Sequence, residues 1–431
     1  MRKEAVFYKK NFLIYGFGKS GFASYKFLRK KNDCKIIDDN KKNIPIKYKH
    51  KTINYKQIKK NNFDYIVLSP GIDINKCKLS KYLKNNSSKV ITELDIFYLC
   101  YPKIKKITIT GTNGKSTTSK LLYDVLKEHR KDVRLTGNIG NPTLLERDVK
   151  NNTLFVIEAS SYQLEYSKYY RSEYSIILNL SHDHLERHGN FKNYIKAKFK
   201  LMQNQSNNNY VFIENKNNLF NNLIKKNKIK SKIFRVNYEK YQKYYQLITN
   251  NYFKNKCNIK NLSFIFALSK NFKLSYKKII KVTNKFKGLD FRQQIIYESK
   301  KLTIINDSKS TSLSATLPLL ESFKNIYWIL GGLAKKGDQL KLEKKYFRKI
   351  KAFIYGKDKV FFSKILSNKI KYKISKNLNY SLLLVFKDLR KKVEEKKIIL
   401  FSPSAASFDQ FNDFEDRGKY FNKIIKNYLK K

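Results

Sequence analysis

Short apolar, β-branched runs that each end in a burst of small and polar residues recur along this chain, and they leave few folds open to it. The runs are Ile107–Thr110, Leu154–Ile157, Ser175–Leu178, Leu302–Ile305, Ile326–Leu330, Phe353–Tyr355 and Ile398–Phe401. Runs of this kind read as parallel strands covered on both faces. Most are followed at once by Gly, Ser, Asn, Asp, His or Lys. In open α/β sheets, ligands bind just beyond the carboxyl ends of the strands. A purely structural protein has little reason to place such side chains there so often, so the pattern predicts an α/β fold with binding loops at the strand ends.

The chain has 431 residues, which suggests two to three domains. Residues 1–92 read as alternating short strands and helices, and no internal repeat is visible. From about 204 to 260 the sequence is rich in Asn, Lys and Tyr, and element boundaries there are not legible. No stretch approaches the ~18 continuous apolar residues of a membrane span. Glycines interrupt the run Phe12-Leu13-Ile14-Tyr15 before it can serve as a signal-peptide core, so it reads as the first strand. Cys34, Cys77, Cys100 and Cys257 are scattered, without a Cys-x-x-Cys pair. They suggest neither a disulfide framework nor a zinc site, and a reducing, cytoplasmic setting is expected.

The formal net charge is +58. Basic surfaces attract phosphate backbones. Here, however, the lysines run from end to end among Asn, Ile, Tyr and Phe, the residues that an AT-rich genome favours. A nucleic-acid footprint clusters on one face, so coding bias is the preferred explanation, and neither a nucleic-acid partner nor membrane insertion is expected.

The strongest local signal is Thr110-Gly111-Thr112-Asn113-Gly114-Lys115-Ser116-Thr117, entered from an apolar strand. Leu121, Leu122, Val125 and Leu126 then mark one face of a helix. Backbone N–H groups of such a turn cradle phosphates, Lys115 neutralises them, and Ser116 is placed to hold Mg²⁺. A standard Walker A loop would have glycine where Ile109 stands. The second signal, Gly16-Phe17-Gly18-Lys19-Ser20-Gly21, fits Gly-x-Gly-x-x-Gly, with Asp38 about twenty residues on where a ribose ligand sits in dinucleotide folds. Alone it suggests an NAD dehydrogenase. Beside a separate phosphate loop, two phosphate-bearing substrates explain the pair better.

Glu158 ends one strand and Asn179-Leu180-Ser181-His182-Asp183-His184 ends another. A carboxylate and an imidazole at neighbouring strand ends suit one Mg²⁺. Read alone, His182 and His184 are slightly better explained as loop histidines on a wet surface. Asn306-Asp307-Ser308-Lys309-Ser310-Thr311, Gly331-Gly332-Leu333-Ala334-Lys335 and Ser402-Pro403-Ser404-Ala405-Ala406-Ser407 are individually compatible with ordinary turns and helix caps.

In this order, and with Ser69-Pro70-Gly71-Ile72, Gly137-Asn138-Ile139-Gly140 and Tyr194-Ile195-Lys196-Ala197-Lys198 between them, the motifs resemble the Mur ligase family over nearly the whole chain. Asn-Asp-Ser-Lys followed by Thr, and Ser-Pro-x-x-Ala-Ser-x-Asp-Gln-Phe, resemble its D-glutamate-adding branch. The resemblance implies three α/β domains: a Rossmann-like UDP-binding domain (1–92), a P-loop-type central ATPase with a mostly parallel sheet (93–288), and a Rossmann-like C-terminal domain (289–431).

It also implies an ATP- and Mg²⁺-dependent ligase, working as a monomer. ATP converts the carboxylate of UDP-N-acetylmuramoyl-L-alanine to an acyl phosphate, and the amine of D-glutamate displaces phosphate. The implied catalytic residues are Lys115, Glu158, His184 and Lys198, the last matching a carbamylated lysine. Ser116, Glu158, His184 and Lys198 would hold the metal. ATP would meet Gly111, Thr112, Asn113, Gly114, Lys115, Ser116, Thr117, Asn258, Arg292, Asp307 and Lys309. Ser20, Asp38 and Gly71 match the UDP site, Asn138 the muramoyl-peptide site, and Thr311, Lys335, Ser407 and Phe414 the D-glutamate site. Three positions depart from the family pattern: Cys257 precedes Asn258 where His is usual, Phe291 also replaces a His, and Gln293 stands where an acidic residue is common. The rivals are a sister ligase, such as a folylpolyglutamate-type enzyme, and a basic nucleic-acid-binding protein.

Overall fold

The computed structural model describes residues 6–215, 218–253, 255–335, 337–389 and 395–429. The chain divides into two compact units: Met1–Tyr241 with Ser263–Val282, and Gln242–Leu262 with Thr283–Lys431.

The first unit holds two sheets. One is built from β1 (Asn11–Tyr15), β2 (Asp33–Ile37), β3 (Tyr65–Leu68) and β4 (Val90–Ile91), in the order β2-β1-β3-β4. Its pairings are all parallel. The other has β5 (Lys105–Thr110), β6 (Val133–Gly137), β7 (Leu154–Glu158), β8 (Tyr174–Ile177), β9 (Tyr210–Glu214) and β10 (Lys232–Val236), in the order β10-β9-β8-β5-β7-β6. It too is wholly parallel. The central strand β5 and its neighbour β7 are almost completely buried, as strands covered on both faces must be.

The second unit carries β11 (Gln294–Glu298), β12 (Leu302–Asn306), β13 (Ile326–Gly331), β14 (Ile350–Tyr355), β15 (Lys371–Ile374) and β16 (Lys397–Phe401), in the order β11-β12-β16-β13-β14-β15. Only the β11–β12 pair among these is antiparallel. One core, around Trp328, Leu330, Ile354 and Leu400, and another, around Ile329, Phe353, Phe401 and Phe421, use alternate residues of the same strands, so the sheet is packed on both sides.

All seven apolar runs are strands, each within a few residues of its expected ends. The stretch that resisted reading contains β9, the helix Asn218–Asn227 and β10. β10 has the burial pattern eieeB and is an edge strand, which leaves it little apolar signature. The α/β expectation with mostly parallel sheets therefore holds. No helix among the described residues is long and apolar enough to cross a membrane.

Candidate active site

The glycine turn follows β5 at the middle of the second sheet. Gly111 and Gly114 have φ of +153° and +82°, backbone states that a side chain resists, and Gly114 caps the helix Lys115–Glu128. The turn is fastened to the end of β8. Thr112 N donates to Asn179 O at 2.9 Å. Asn113 N donates to Asn179 Oδ1 at 2.8 Å, and Asn179 Nδ2 returns a bond to Asn113 O at 3.0 Å. Thr112 Oγ1 shares a hydrogen bond with Tyr194 OH at 2.9 Å.

Two lysine amino groups converge on one carbonyl there. Lys115 Nζ donates to Gly111 O at 2.9 Å and Thr112 O at 2.8 Å, and Lys198 Nζ donates to the same Gly111 O at 2.9 Å. Lys198 is 1% exposed and stands 4.7 Å above the Tyr194 ring. Burial first, and then the Lys115 charge, hold its pKa well below the ordinary lysine value, against a smaller pull from Asp183 and Glu158. Lys196, by contrast, is exposed, and Lys200 is partly buried, donating to the Glu165 and Ser167 carbonyls. The structure thus separates three lysines that local composition could not.

Glu158, at the carboxyl end of β7, is fully buried. Its Oε1 accepts from Asn138 Nδ2 at 2.8 Å, while Oε2 has no hydrogen-bond partner among the described residues. A buried carboxylate oxygen left bare costs free energy unless a cation or donor meets it. This orphan is the observation that fits a metal. Among the described residues, no group of three or more His, Cys, Asp and Glu forms a metal cage, so an ion here would need ligands of other kinds. His184 takes φ +54°. Its Nδ1 meets Tyr162 OH at 3.0 Å and Glu186 at 3.3 Å, and its Nε2 meets Asp183 at 3.3 Å. Those polar partners do not include Glu158. His182 stacks on Phe191 at 4.1 Å.

In the first sheet, Asp38 is occupied by protein donors: Oδ2 accepts from Phe17 N at 2.6 Å, and Oδ1 from Asn40 N at 2.8 Å and Asn43 Nδ2 at 3.1 Å. It therefore braces the glycine turn Gly16–Gly21. Neighbouring Asp39 accepts from both Tyr15 and Tyr55, each at 2.8 Å, and lines with Asp38 a cavity of about 870 Å³. Ser20 lies in the first turn of the helix Lys19–Leu28, and Gly71 is exposed in the turn after β3.

In the second unit, Asn258 Nδ2 donates to Gln293 Oε1 at 3.0 Å, and Gln293 N donates to Asp307 Oδ1 at 3.0 Å. Asp307 also accepts from Ser402 Oγ at 2.8 Å, and burial pushes its carboxyl up to about 7. Lys309 Nζ stands 3.9 Å from the Phe414 ring centroid, and the Arg292 guanidinium stands 5.7 Å from it. Ser407 is buried and opens a turn to Phe411. Thr311 and Lys335 are both partly exposed at strand-end loops. Sequence reasoning registered Gln293 only as a departure, whereas it links Asn258 to Asp307. Asp183, Tyr194 and Asn179 were not singled out individually either, although each stands in a quoted motif.

Residues 109–282 match the Mur ligase middle domain. The chain is 33% identical over 441 residues to UDP-N-acetylmuramoylalanine--D-glutamate ligase of Rickettsia bellii, covering 96% of this chain and 97% of that one. Among solved structures, MurC of Thermotoga maritima, a UDP-N-acetylmuramate-alanine ligase, aligns with a TM-score of 0.54 at 17% identity over 98% of this chain and 99% of that one. MurF of Acinetobacter baumannii aligns with a TM-score of 0.60 at 14% identity, over 78% and 79%. At such identities these two likenesses are ones of fold.

Proposed function

The chain belongs to the Mur ligase family, and from that premise we propose that it joins D-glutamate to UDP-N-acetylmuramoyl-L-alanine at the expense of ATP, in the synthesis of peptidoglycan precursors. The observation that carries this reading is the pairing of Lys115 and Lys198 on the Gly111 carbonyl, beside the same loop whose N–H groups face a phosphate in other glycine turns. The whole-length likeness to a D-glutamate ligase supplies the substrate pair.

Positioning and charge stabilisation dominate phosphoryl transfer. Lys115 is placed to neutralise phosphoryl oxygens, and the turn's N–H groups to orient them. The substrate carboxylate takes the phosphoryl group, ADP leaves, and the amine of D-glutamate then displaces inorganic phosphate as the amide forms. Glu158, Ser116, His184 and Lys198 would hold Mg²⁺, and the bare Glu158 Oε2 is the ligand best prepared for it. When bound, the ion offsets charge on the transferring group. The low basicity of Lys198 favours the neutral amine, which is the form that takes up CO₂ as a carbamate, turning a cation into a further oxygen ligand. Asn138 keeps Glu158 oriented.

Ser20, Asp38 and Gly71 remain assigned to the UDP end, with Asp38 acting through the turn it braces. Asn258, Arg292, Asp307 and Lys309 are assigned to the nucleotide, and Thr311, Lys335, Ser407 and Phe414 to D-glutamate, whose two carboxylates suit a cation flanked by hydroxyls. A three-domain division near residues 92 and 288, a monomer and a cytoplasmic location complete the reading.

The decisive measurement is phosphate release with ATP and Mg²⁺, leaving out D-glutamate and the UDP substrate in turn. Release that requires both supports the proposal. Release that proceeds with another amino acid or a folate in their place would sink it in favour of a sister ligase.

A further inference from the structure

Arg417 is a buried charge that the proposed chemistry leaves unused. It sits in the first turn of the helix Phe414–Leu429 and is 1% exposed. Its Nε donates to Ser308 Oγ at 3.1 Å, and Nη2 donates to the carbonyls of Ser308 at 2.7 Å and Ala405 at 2.9 Å. All three bonds go to a hydroxyl or a carbonyl, none to a carboxylate. Burial opposes its charge, while Tyr355 first, and then Asp409 and Asp307, favour it. Among the described residues neither Nη1 nor the Tyr355 hydroxyl has a partner in good hydrogen-bonding geometry, although the two groups act on each other electrostatically.

A guanidinium taken out of water, with carboxylates acting on it only from a distance, is costly, so an arginine kept there purely for packing would be a poor solution. Its placement points to another task. Ser308 belongs to the loop after β12, which carries Lys309 and Thr311, and Ala405 to the loop after β16, which carries Ser407. Gly332, after β13, lies against the third corner of the fork: a Cβ built there would stand 3.3 Å from Nη1. β12, β16 and β13 are consecutive in the sheet. One planar group therefore spans three adjacent strand-end loops. The first is reinforced from the same helix, because Ser308 Oγ donates to Phe414 O at 2.8 Å and Asn306 Nδ2, at the end of β12, to Gly418 O at 3.0 Å.

We propose that Arg417 is a positioning residue for the amino-acid substrate: its fork fixes the loops bearing Thr311 and Ser407 relative to one another, and its buried positive charge biases that strand-end crevice toward an anionic amino acid. This rests on the assignment of Thr311 and Ser407 to D-glutamate in the function proposed above.

The test uses the full chain and steady-state phosphate release. Arg417→Lys keeps a cation but not the planar fork, Arg417→Met removes both, and Ser308→Ala removes one partner only. Losing buried, charge-assisted hydrogen bonds predicts a rise in KM for D-glutamate of about tenfold for the lysine variant and more for the methionine variant, with about two- to threefold for Ser308→Ala. KM for the UDP substrate should stay within about twofold in all three. If Arg417→Met does not fold, the lysine and Ser308→Ala variants carry the test. Folded variants whose Michaelis constants for D-glutamate and the UDP substrate are unchanged, or rise together, overturn the inference. An unmodified protein that shows no D-glutamate-dependent phosphate release overturns the functional reading instead.

Discussion

Helix phase gives Lys198 its chemistry. In the helix Phe191–Gln203, Tyr194, Lys198, Leu201 and Met202 are all buried, spaced as i, i+4, i+7 and i+8, which is one face of a helix. Lys196 points elsewhere and is exposed. A lysine on an apolar stripe is expensive as a cation, so its neutral form is favoured, and Lys115 raises the cost further. Lys198→Ala should therefore lower turnover by at least about three orders of magnitude, the scale of losing a preorganised charge at a reacting phosphoryl group. Lys196→Ala should stay within about twofold of the unmodified protein. Lys200→Ala should lower the melting temperature more than kcat, since its Nζ holds the Glu165 and Ser167 carbonyls. Equal kinetic losses at all three positions would sink the carbamate assignment. The sign of the pH effect also follows. As pH falls toward the depressed pKa, Lys198 takes up a proton and no longer reacts with CO₂, so kcat should drop on the acid side and recover with added bicarbonate. A flat acid limb insensitive to bicarbonate would contradict this.

At the scale of elements, β5 shows what a central strand tolerates. Lys106, at its start, is 0% exposed. It donates to the Ile104 carbonyl, lies 3.8 Å from Glu173 and 5.4 Å from the Tyr98 ring centroid. Burial lowers its pKa to about 8, with Glu173 opposing. In the unfolded chain it keeps its proton to about 10.4, so between those values the unfolded state holds more protons and stability rises with pH. Below pH 8 the full penalty remains. Lys106→Met should accordingly stabilise the protein at pH 7 by about 1–3 kcal/mol, and the gain should shrink toward pH 10; thermal melts at the two pH values would show it, and an equal or larger gain at pH 10 would refute the explanation.

Asp95 shows the opposite case, a buried carboxylate that is saturated. Oδ1 accepts from Ser167 Oγ and from the Lys168, Tyr169 and Tyr170 amides at 2.8 to 3.0 Å, while Oδ2 accepts from Thr92. Asp95→Ala should cost at least about 3 kcal/mol by stranding several buried donors, read as a lower midpoint in denaturant. These elements also mark what a sequence discloses. Strands such as Leu154–Glu158 were legible because both faces are buried and the run is apolar throughout. The glycine turn after β5 was legible because its backbone geometry is local. Lys198 was legible in principle, through the helical spacing of Tyr194 and Leu201. The Asn258–Gln293–Asp307 chain and the Arg417 fork were not, since their partners are brought together over 12 to 109 residues of chain and nothing near Arg417 in sequence distinguishes it from a solvated helix charge.

The whole molecule carries a net charge of +58, and its physical consequences are separable from the chemistry. Like charges repel in the compact state, and at 0.01 M ionic strength they do so over about 30 Å, against about 8 Å at 0.15 M. The melting temperature should therefore climb as KCl is raised from 10 to 150 mM, whereas neutral osmolytes of equal osmolarity will not reproduce that dependence. The same field will bind any polyanion. If lysines spread by coding bias are the source, binding to random DNA must be non-specific and must vanish steeply with salt. Six to ten phosphate contacts predict a loss of about 10³–10⁵ in affinity between 50 and 200 mM. At 200 mM salt, DNA of any sequence should then leave substrate-dependent phosphate release unchanged. A sequence preference that survives at that salt, with phosphate release inhibited in step with occupancy, would mean that the charge serves recognition after all. The two outcomes differ because non-specific attraction is carried by released counter-ions, which salt abolishes, while recognition depends on base contacts, which it does not.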